Sequence, residues 1–155
     1  MTARRRRPAR SRQRSRVAES STQPYGARRL LLDTNAWLWW QADDRRLGPH
    51  ARAAIQGAYE VFLSAASAWE MAIKSSLGKL RTPKEPSVSA QLARTGFSPL
   101  AIDVVHAEAV QALPALHRDP FDRLLIAQAR VEGLTIVTSD AVFAKYGTGT
   151  ILATE

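Results

Sequence analysis

The chain has 155 residues, 45% of them hydrophobic, and a formal net charge of +8 at pH 7, a length that suits one domain built on one core. It has no cysteine, which excludes disulfides, thiolate metal sites and cysteine nucleophiles and is compatible with a reducing cytoplasm, the expected location. No apolar run approaches the length needed to cross a bilayer, so no transmembrane helix is expected.

The charge is unevenly spread. Residues 1–29 hold ten arginines against the single acid Glu19, whereas residues 30–155 hold 12 basic and 13 acidic groups. The part expected to fold is therefore close to neutral, and the basicity belongs to the tail. Residues 1–28 have almost no large apolar side chains. They cannot offset their ordering entropy by burial and are expected to be disordered. Three accounts of this Arg-rich tail compete: an arm that attracts RNA phosphates, a start placed too early, and an organelle transit segment. With no apolar face between its arginines, it reads as a dispensable tail or a misplaced start, and the domain proper as residues 29–155.

Leu30-Leu31-Leu32 is a short apolar run that predicts a buried strand ending at Asp33. A helix follows over Thr34–Trp40, then a polar loop containing Gly48-Pro49 and a helix over His50–Ala58. Val61–Leu63 is a second strand. Ser64–Leu77 is the clearest helix, with Trp69, Ala72, Ile73 and Leu77 at helical spacing and Gly78 to end it. Further helices are predicted at Val88–Thr95, closed by Gly96, and at Val104–Leu113, closed by Pro114; between them Leu100–Ile102 reads as a third strand ending at Asp103. Pro120–Glu132 begins with proline and is followed by Gly133, a helix with both termini marked. Thr135–Val137 is a fourth strand, and Thr150–Ala153 an edge strand. Alternating strands and helices predict an α/β fold, with a central parallel sheet of four to five strands between helical layers. In such sheets ligands bind beyond the carboxyl ends of the strands, at the switch point in strand order.

Four carboxylates occupy positions of that kind: Asp33 and Asp140 near strand ends, Glu70 on the helix after the second strand, and Asp122 in the first turn of its helix. Each has an alternative use. Asp33 and Asp140 can cap the next helix, Glu70 can pair with Lys74 four residues on, and Asp122 can complement a helix dipole. Asp119, just before Pro120, is assigned to capping, and Asp103 likewise. Together the four acids point elsewhere. Like charges ~4 Å apart repel by about 1 kcal/mol in water and ~4 kcal/mol at an effective dielectric near 20, so a converging set demands either a proton or a cation. Oxygen-only ligands suit Mg²⁺ or Mn²⁺ rather than zinc, and such an ion supports phosphodiester hydrolysis.

The segments LLLDTNAW, WEMAIKSSLGKL, HRDPFDRLLIAQA and TIVTSD, in this order and spacing, resemble the PIN-domain toxins of the VapC type. The likeness runs from about Arg29 to Ala153. It implies a PIN-like three-layer sandwich and a Mg²⁺- or Mn²⁺-dependent endoribonuclease that cuts tRNA or ribosomal RNA. It also implies a homodimer silenced by a VapB-type antitoxin. Asp33, Glu70, Asp122 and Asp140 match the family's acidic quartet as catalytic and metal-holding residues. Thr138 and Asn35 match its supporting positions. Arg118 and Arg123, flanking the site in sequence, are candidates for holding an RNA phosphate, and His117 for supporting Asp119 or Asp122. Not all of Trp37, Trp39 and Trp40 can face one core from a single short helix, so at least one is expected at an interface with a second subunit or the antitoxin. The alternatives are a PIN-like module that grips RNA or antitoxin without cutting, and a phosphatase with an aspartyl nucleophile. The latter wants a second Asp where Asn35 stands. A phosphorylated receiver domain would want an acidic pair where Asp33 stands alone.

Overall fold

The computed structural model describes residues 28–81 and 86–155; the tail expected over residues 1–28 lies outside them except for Arg28. Five strands, β1 (Arg29–Leu32), β2 (Glu60–Ser64), β3 (Ser98–Leu100), β4 (Thr135–Thr138) and β5 (Thr150–Leu152), form one sheet in the order β3-β2-β1-β4-β5. Every pairing is parallel. Six α-helices accompany them: α1 (Thr34–Gln41), α2 (Pro49–Gln56), α3 (Ala65–Ser76), α4 (Val88–Thr95), α5 (Val104–Ala109) and α6 (Pro120–Glu132). Short 3-10 turns follow at Val110–Ala112 and Ala141–Tyr146. The strand order turns back between β1 and β4, so their carboxyl ends form the crevice that the doubly wound topology leaves open.

The sheet is covered on both faces, which is why its central strands read as unbroken apolar runs. Leu30, Leu31 and Leu32 are all fully buried. Leu30 and Leu32 join the core under Trp37, Ala51, Ile55 and Met71. Leu31 points to the opposite face and packs with Leu125, Ile126, Ile136 and Phe143. Three residues thus anchor two cores, each burial worth about 1.5–3 kcal/mol relative to exposure. A polar tie crosses the second core: Gln128 of α6 is fully buried, accepts the Ser64 hydroxyl at 2.5 Å and donates to the Ala101 carbonyl at 3.1 Å.

Two expectations need correction. The third strand is Ser98–Leu100 rather than Leu100–Ile102. Ser98, Pro99 and Leu100 pair with Phe62, Leu63 and Ser64, while Ile102 is left 40% exposed. The strand lies at the sheet edge, where a proline is tolerated because its missing donor faces away from the ladder; its apolar content is a poor guide to its register. The helix over Val104–Leu113 is also shorter, ending as α-helix at Ala109 and tightening into a 3-10 turn before Pro114.

The chain's last residues close over the start of α2. The amide of Gly48 donates to the Ala153 carbonyl at 2.8 Å, and the amide of Ala51 to the Glu155 carbonyl at 3.0 Å. A Cβ on Gly48 would stand 2.3 Å from that Glu155 oxygen, so glycine is required by the close approach. Gly48→Ala should lower stability by about 1–3 kcal/mol in urea unfolding. An unchanged midpoint would mean that residues 153–155 do not rest against α2 in solution.

Candidate active site

Asp33 is the residue that follows β1. Its amide donates to the Val137 carbonyl of β4 at 2.9 Å, extending the parallel ladder one step past the strand. Its side chain turns back to cap α1. Oδ1 accepts the Ala36 amide at 2.6 Å, and Oδ2 accepts the Ser139 amide at 3.2 Å. The Thr138 side chain adds a further hydrogen bond. Only 6% of the residue is exposed. Burial pushes the Asp33 carboxyl above the ordinary carboxylate range, the charge of Glu70 adds to the push, and the three hydrogen bonds oppose it without cancelling it.

Glu70 reaches the same place from α3. The buried side of this helix is Ala66, Ser67, Glu70 and Met71, whereas Trp69 and Leu77 are 59% and 62% exposed. The apolar spacing over Trp69, Ala72, Ile73 and Leu77 therefore marks an outer face and not the core face. Trp69 instead meets Phe121 of α6 edge-on, with centroids 5.2 Å apart. Glu70 itself is 8% exposed and has both oxygens engaged. One accepts the buried Thr34 hydroxyl, the other the Lys74 ammonium at 2.5 Å.

Asp122 arrives on the first turn of α6. Asp119 caps that helix as expected, accepting the amides of Phe121 at 2.8 Å and Asp122 at 3.3 Å. The Asp122 carboxyl is pushed up to about 7, first by burial and then by the negative charge of Asp119, with Glu70 and Asp33 adding to it and His117 opposing. Asp33, Glu70 and Asp122 thus feel one another's charge across three elements. Asp140 stands more in the open, its side chain 40% exposed. It caps the turn after β4, Oδ1 accepting the Val142 amide at 2.8 Å. That bond, together with His117, holds its carboxyl below the usual range.

His117 links the last two acids. Its Nε2 lies 2.8 Å from Asp140 Oδ2 and 3.2 Å from Asp122 Oδ2. Its Nδ1 accepts the Asp119 amide at 3.2 Å, which leaves Nε2 as the nitrogen that donates. The ring packs edge-on against Phe143. The link to Asp119 and Asp122 follows the sequence reading; the bridge to Asp140 has no counterpart in it, since nothing in the local pattern ties residue 117 to residue 140. Thr138 is fully buried, and its hydroxyl accepts the Asp140 amide at 3.0 Å while serving Asp33. Asn35 donates to the Ser139 hydroxyl at 3.3 Å from an exposed position. Arg118 is exposed at the mouth of the loop before α6. Arg123 is committed elsewhere: its guanidinium donates to the carbonyls of Val110, Leu113, Pro114 and His117, stapling that loop.

As these side chains are held, no three acidic or histidine groups among the described residues stand close enough together to enclose a cation. Glu70 is tied to Thr34 and Lys74, and Asp122 and Asp140 to His117. The donor set nonetheless fits a hard divalent ion. It is all oxygen, it comes from separate rigid elements, and burial together with nearby negative charge pushes the Asp122 carboxyl up to about 7, a cost that a dication would relieve.

The raised Asp122 carboxyl sets a sign for stability without metal. Its ordinary value is 3.8 and its folded value about 7, so the folded chain holds the extra proton in between. That contribution is fully present below the ordinary value and is lost as pH rises through the folded one. In EDTA the wild-type melting temperature should fall more steeply between about pH 5 and pH 8 than that of Asp122→Asn. Equal slopes in the two proteins would contradict the burial of Asp122 among like charges.

Comparison with known proteins identifies relatives of this chain. The PIN domain family model matches residues 30–149. Ribonuclease VapC16 of Mycobacterium tuberculosis is 49% identical over 59 residues, which span 36% of this chain and 41% of that protein. Ribonuclease VapC22 of the same organism is 33% identical over 117 residues, 72% of this chain and 86% of that protein. Among solved structures, VapBC2 from Rickettsia felis bound to a promoter DNA fragment superposes with a TM-score of 0.60 at 12% identity, covering 79% of this chain and 97% of that one. A toxin–antitoxin complex from Klebsiella pneumoniae gives 0.56 at 20% identity, covering 81% and 98%. At such identities these two structures share the fold.

Proposed function

The chain belongs to the PIN-domain family, allied within it to ribonucleases named VapC, and from that premise we propose that it is a metal-dependent endoribonuclease, the toxin of a VapBC-type pair. Its substrate is tRNA or ribosomal RNA, and its place of work the cytoplasm, where those molecules are. The observation that supports this reading is that Asp33, Glu70 and Asp122, from three different elements, lie within reach of one another's charge, with Asp33 at the switch point of the sheet.

Asp33, Glu70 and Asp122 would hold Mg²⁺ or Mn²⁺, with Asp140 completing the set. When bound, the ion supplies neutralisation of the phosphate oxygens and activation of the attacking water. Asp33 is the fixed point, because α1 and the residues after β4 clamp both of its oxygens. Glu70 or Asp122 orients the attacking water and takes its proton. His117 keeps Asp122 and Asp140 in register. Arg118 is free to meet the RNA backbone, a role that Arg123 fills only indirectly, through the loop it staples. The water oxygen bonds to phosphorus in line with the ribose oxygen that leaves, and the strand is cut.

The antitoxin has a surface of its own. A groove of about 1150 Å³ runs between α1, α3 and α4, with Trp37, Leu38, Trp39 and Met71 along it and Arg46, Arg81 and Arg94 at its margins. Trp39 and Trp40 are only half-buried, unlike Trp37, which agrees with one tryptophan serving a partner. We read this groove as the seat of a VapB-type antitoxin and the whole as a homodimer.

The decisive experiment is incubation of end-labelled tRNA and rRNA with purified protein and Mn²⁺ or Mg²⁺. Wild type should cut at discrete sites, EDTA should stop it, and Asp33→Asn and Glu70→Gln should each lose on the order of 100-fold in rate. Variants as active as wild type would refute the nuclease reading. Intact RNA with all proteins, alongside tight RNA or antitoxin binding, would favour a non-cleaving module. The Arg-rich residues 1–28 fall wholly before the matched segment, and we take them as dispensable. Deleting residues 2–27 should leave the melting temperature and the cleavage pattern unchanged. Loss of soluble protein on deletion would overturn that.

A further inference from the structure

The cation already present among the acids is a side chain. Lys74 lies one turn beyond Glu70 on α3, and its ammonium sits 2.5 Å from Glu70 Oε1. It also lies in the field of Asp119 and Asp122. The basic groups around it are differently engaged: Arg123 faces backbone carbonyls, and His117 serves Asp122 and Asp140. A Glu–Lys pair four residues apart on an open helix contributes little and serves no purpose beyond the helix. This pair differs because its carboxylate is 10% exposed and its ammonium 48% exposed. One end is fixed in the site and the other is free to leave.

The two ties on Glu70 are unequal. Thr34 is 7% exposed and carries its hydroxyl on a short side chain with a single stiff torsion, so it has little room to withdraw. Lys74 can withdraw by rotating a flexible stem into solvent. Glu70 therefore gains a free oxygen for a divalent ion most easily by losing Lys74, and two cations crowded on one carboxylate oppose each other. Once displaced, the ammonium stays on its tether beside the acids, in the field of Asp119 and Asp122.

We propose that Lys74 is the resident counter-ion of the acid cluster, competing with the divalent ion for Glu70 and turning to the RNA phosphate when displaced. This rests on the metal-dependent reading of the site and adds a positioning residue to it. Lys74 has two opposed effects: it weakens binding of the bare ion, and it strengthens binding of RNA.

The test measures both. Calorimetric titration with Mn²⁺ in the absence of RNA is run on wild type, Lys74→Met, Lys74→Arg and Asp33→Asn. Lys74→Met should bind Mn²⁺ about tenfold more tightly, as removal of one unit charge beside the ion requires. The same variant should show a raised KM for a short RNA with kcat nearly unchanged. Its RNA affinity should depend less on salt, the slope of log K against log salt falling by about 0.7, the share of one phosphate contact on a single strand. Lys74→Arg should restore KM and the salt slope. If Asp33→Asn loses Mn²⁺ binding while Lys74→Met binds it no more tightly than wild type, Lys74 is only a helix-surface partner and the proposal is overturned. If Asp33→Asn binds Mn²⁺ as wild type does, the acid site itself is wrong and the proposal goes with it. A thermal melt of Lys74→Met within a degree or so of wild type separates these outcomes from misfolding.

Discussion

Parallel pairing of β1 with β4 is the constraint from which the site follows. The two strands are distant in sequence and adjacent in the sheet, with Leu32 opposite Val137. The hydrogen bond from the Asp33 amide to the Val137 carbonyl carries the ladder one residue further. That single added step brings the carboxylate of Asp33 against the amide of Ser139 and the hydroxyl of Thr138. Since both strands are buried on both faces, neither can slide: a one-residue slip would carry Leu31 from one core to the other. The position of the first acid is thus held by apolar packing on two sides.

Crowding negative charge against that fixed point has an electrostatic cost, and the surrounding groups show how it is met. Asp33 receives three hydrogen bonds and still has its carboxyl raised, because burial outweighs them. Asp122 receives less help and is pushed up to about 7. Asp140, with more solvent and the Val142 amide, is held low. Burial raises Asp33 and Asp122 while the more open Asp140 is held low, so these acids differ in proton affinity while being the same kind of group. His117 sits between Asp122 and Asp140, and Lys74 sits on Glu70.

Two of the candidate acids are also caps. Asp33 and Asp140 cap the segments that follow them and also present a carboxylate to the crevice. A short acid after a strand does both because the first amides of a helix point back at the strand end, where the sheet opens. The capping and site readings of such residues are therefore compatible. Asp119 shows the contrast: with the same capping geometry it stands outside the central set and acts on it through the charge it adds to Asp122.

By itself the sequence determined the α/β alternation and nearly all the elements, and it singled out four acids as candidates for the site. Unbroken apolar runs such as Leu30–Leu32, and helix ends marked by Pro120 and Gly133, are local signals that need no knowledge of neighbours. Tertiary structure decided the rest. The inner face of α3 is set by Glu70, Ser67 and the small Ala66 rather than by the apolar stripe of Trp69 and Leu77. A helix packs by the shape available beneath it, and the carboxylate is drawn inward by Thr34. β3 takes its register from β2, so a proline-containing segment pairs while the more apolar one beside it does not. His117 finds Asp140, and Arg123 finds four loop carbonyls, through contacts between segments that only the folded chain brings together. Residue type and spacing encode what a side chain can do; its partner is chosen by packing, which depends on the whole sheet at once.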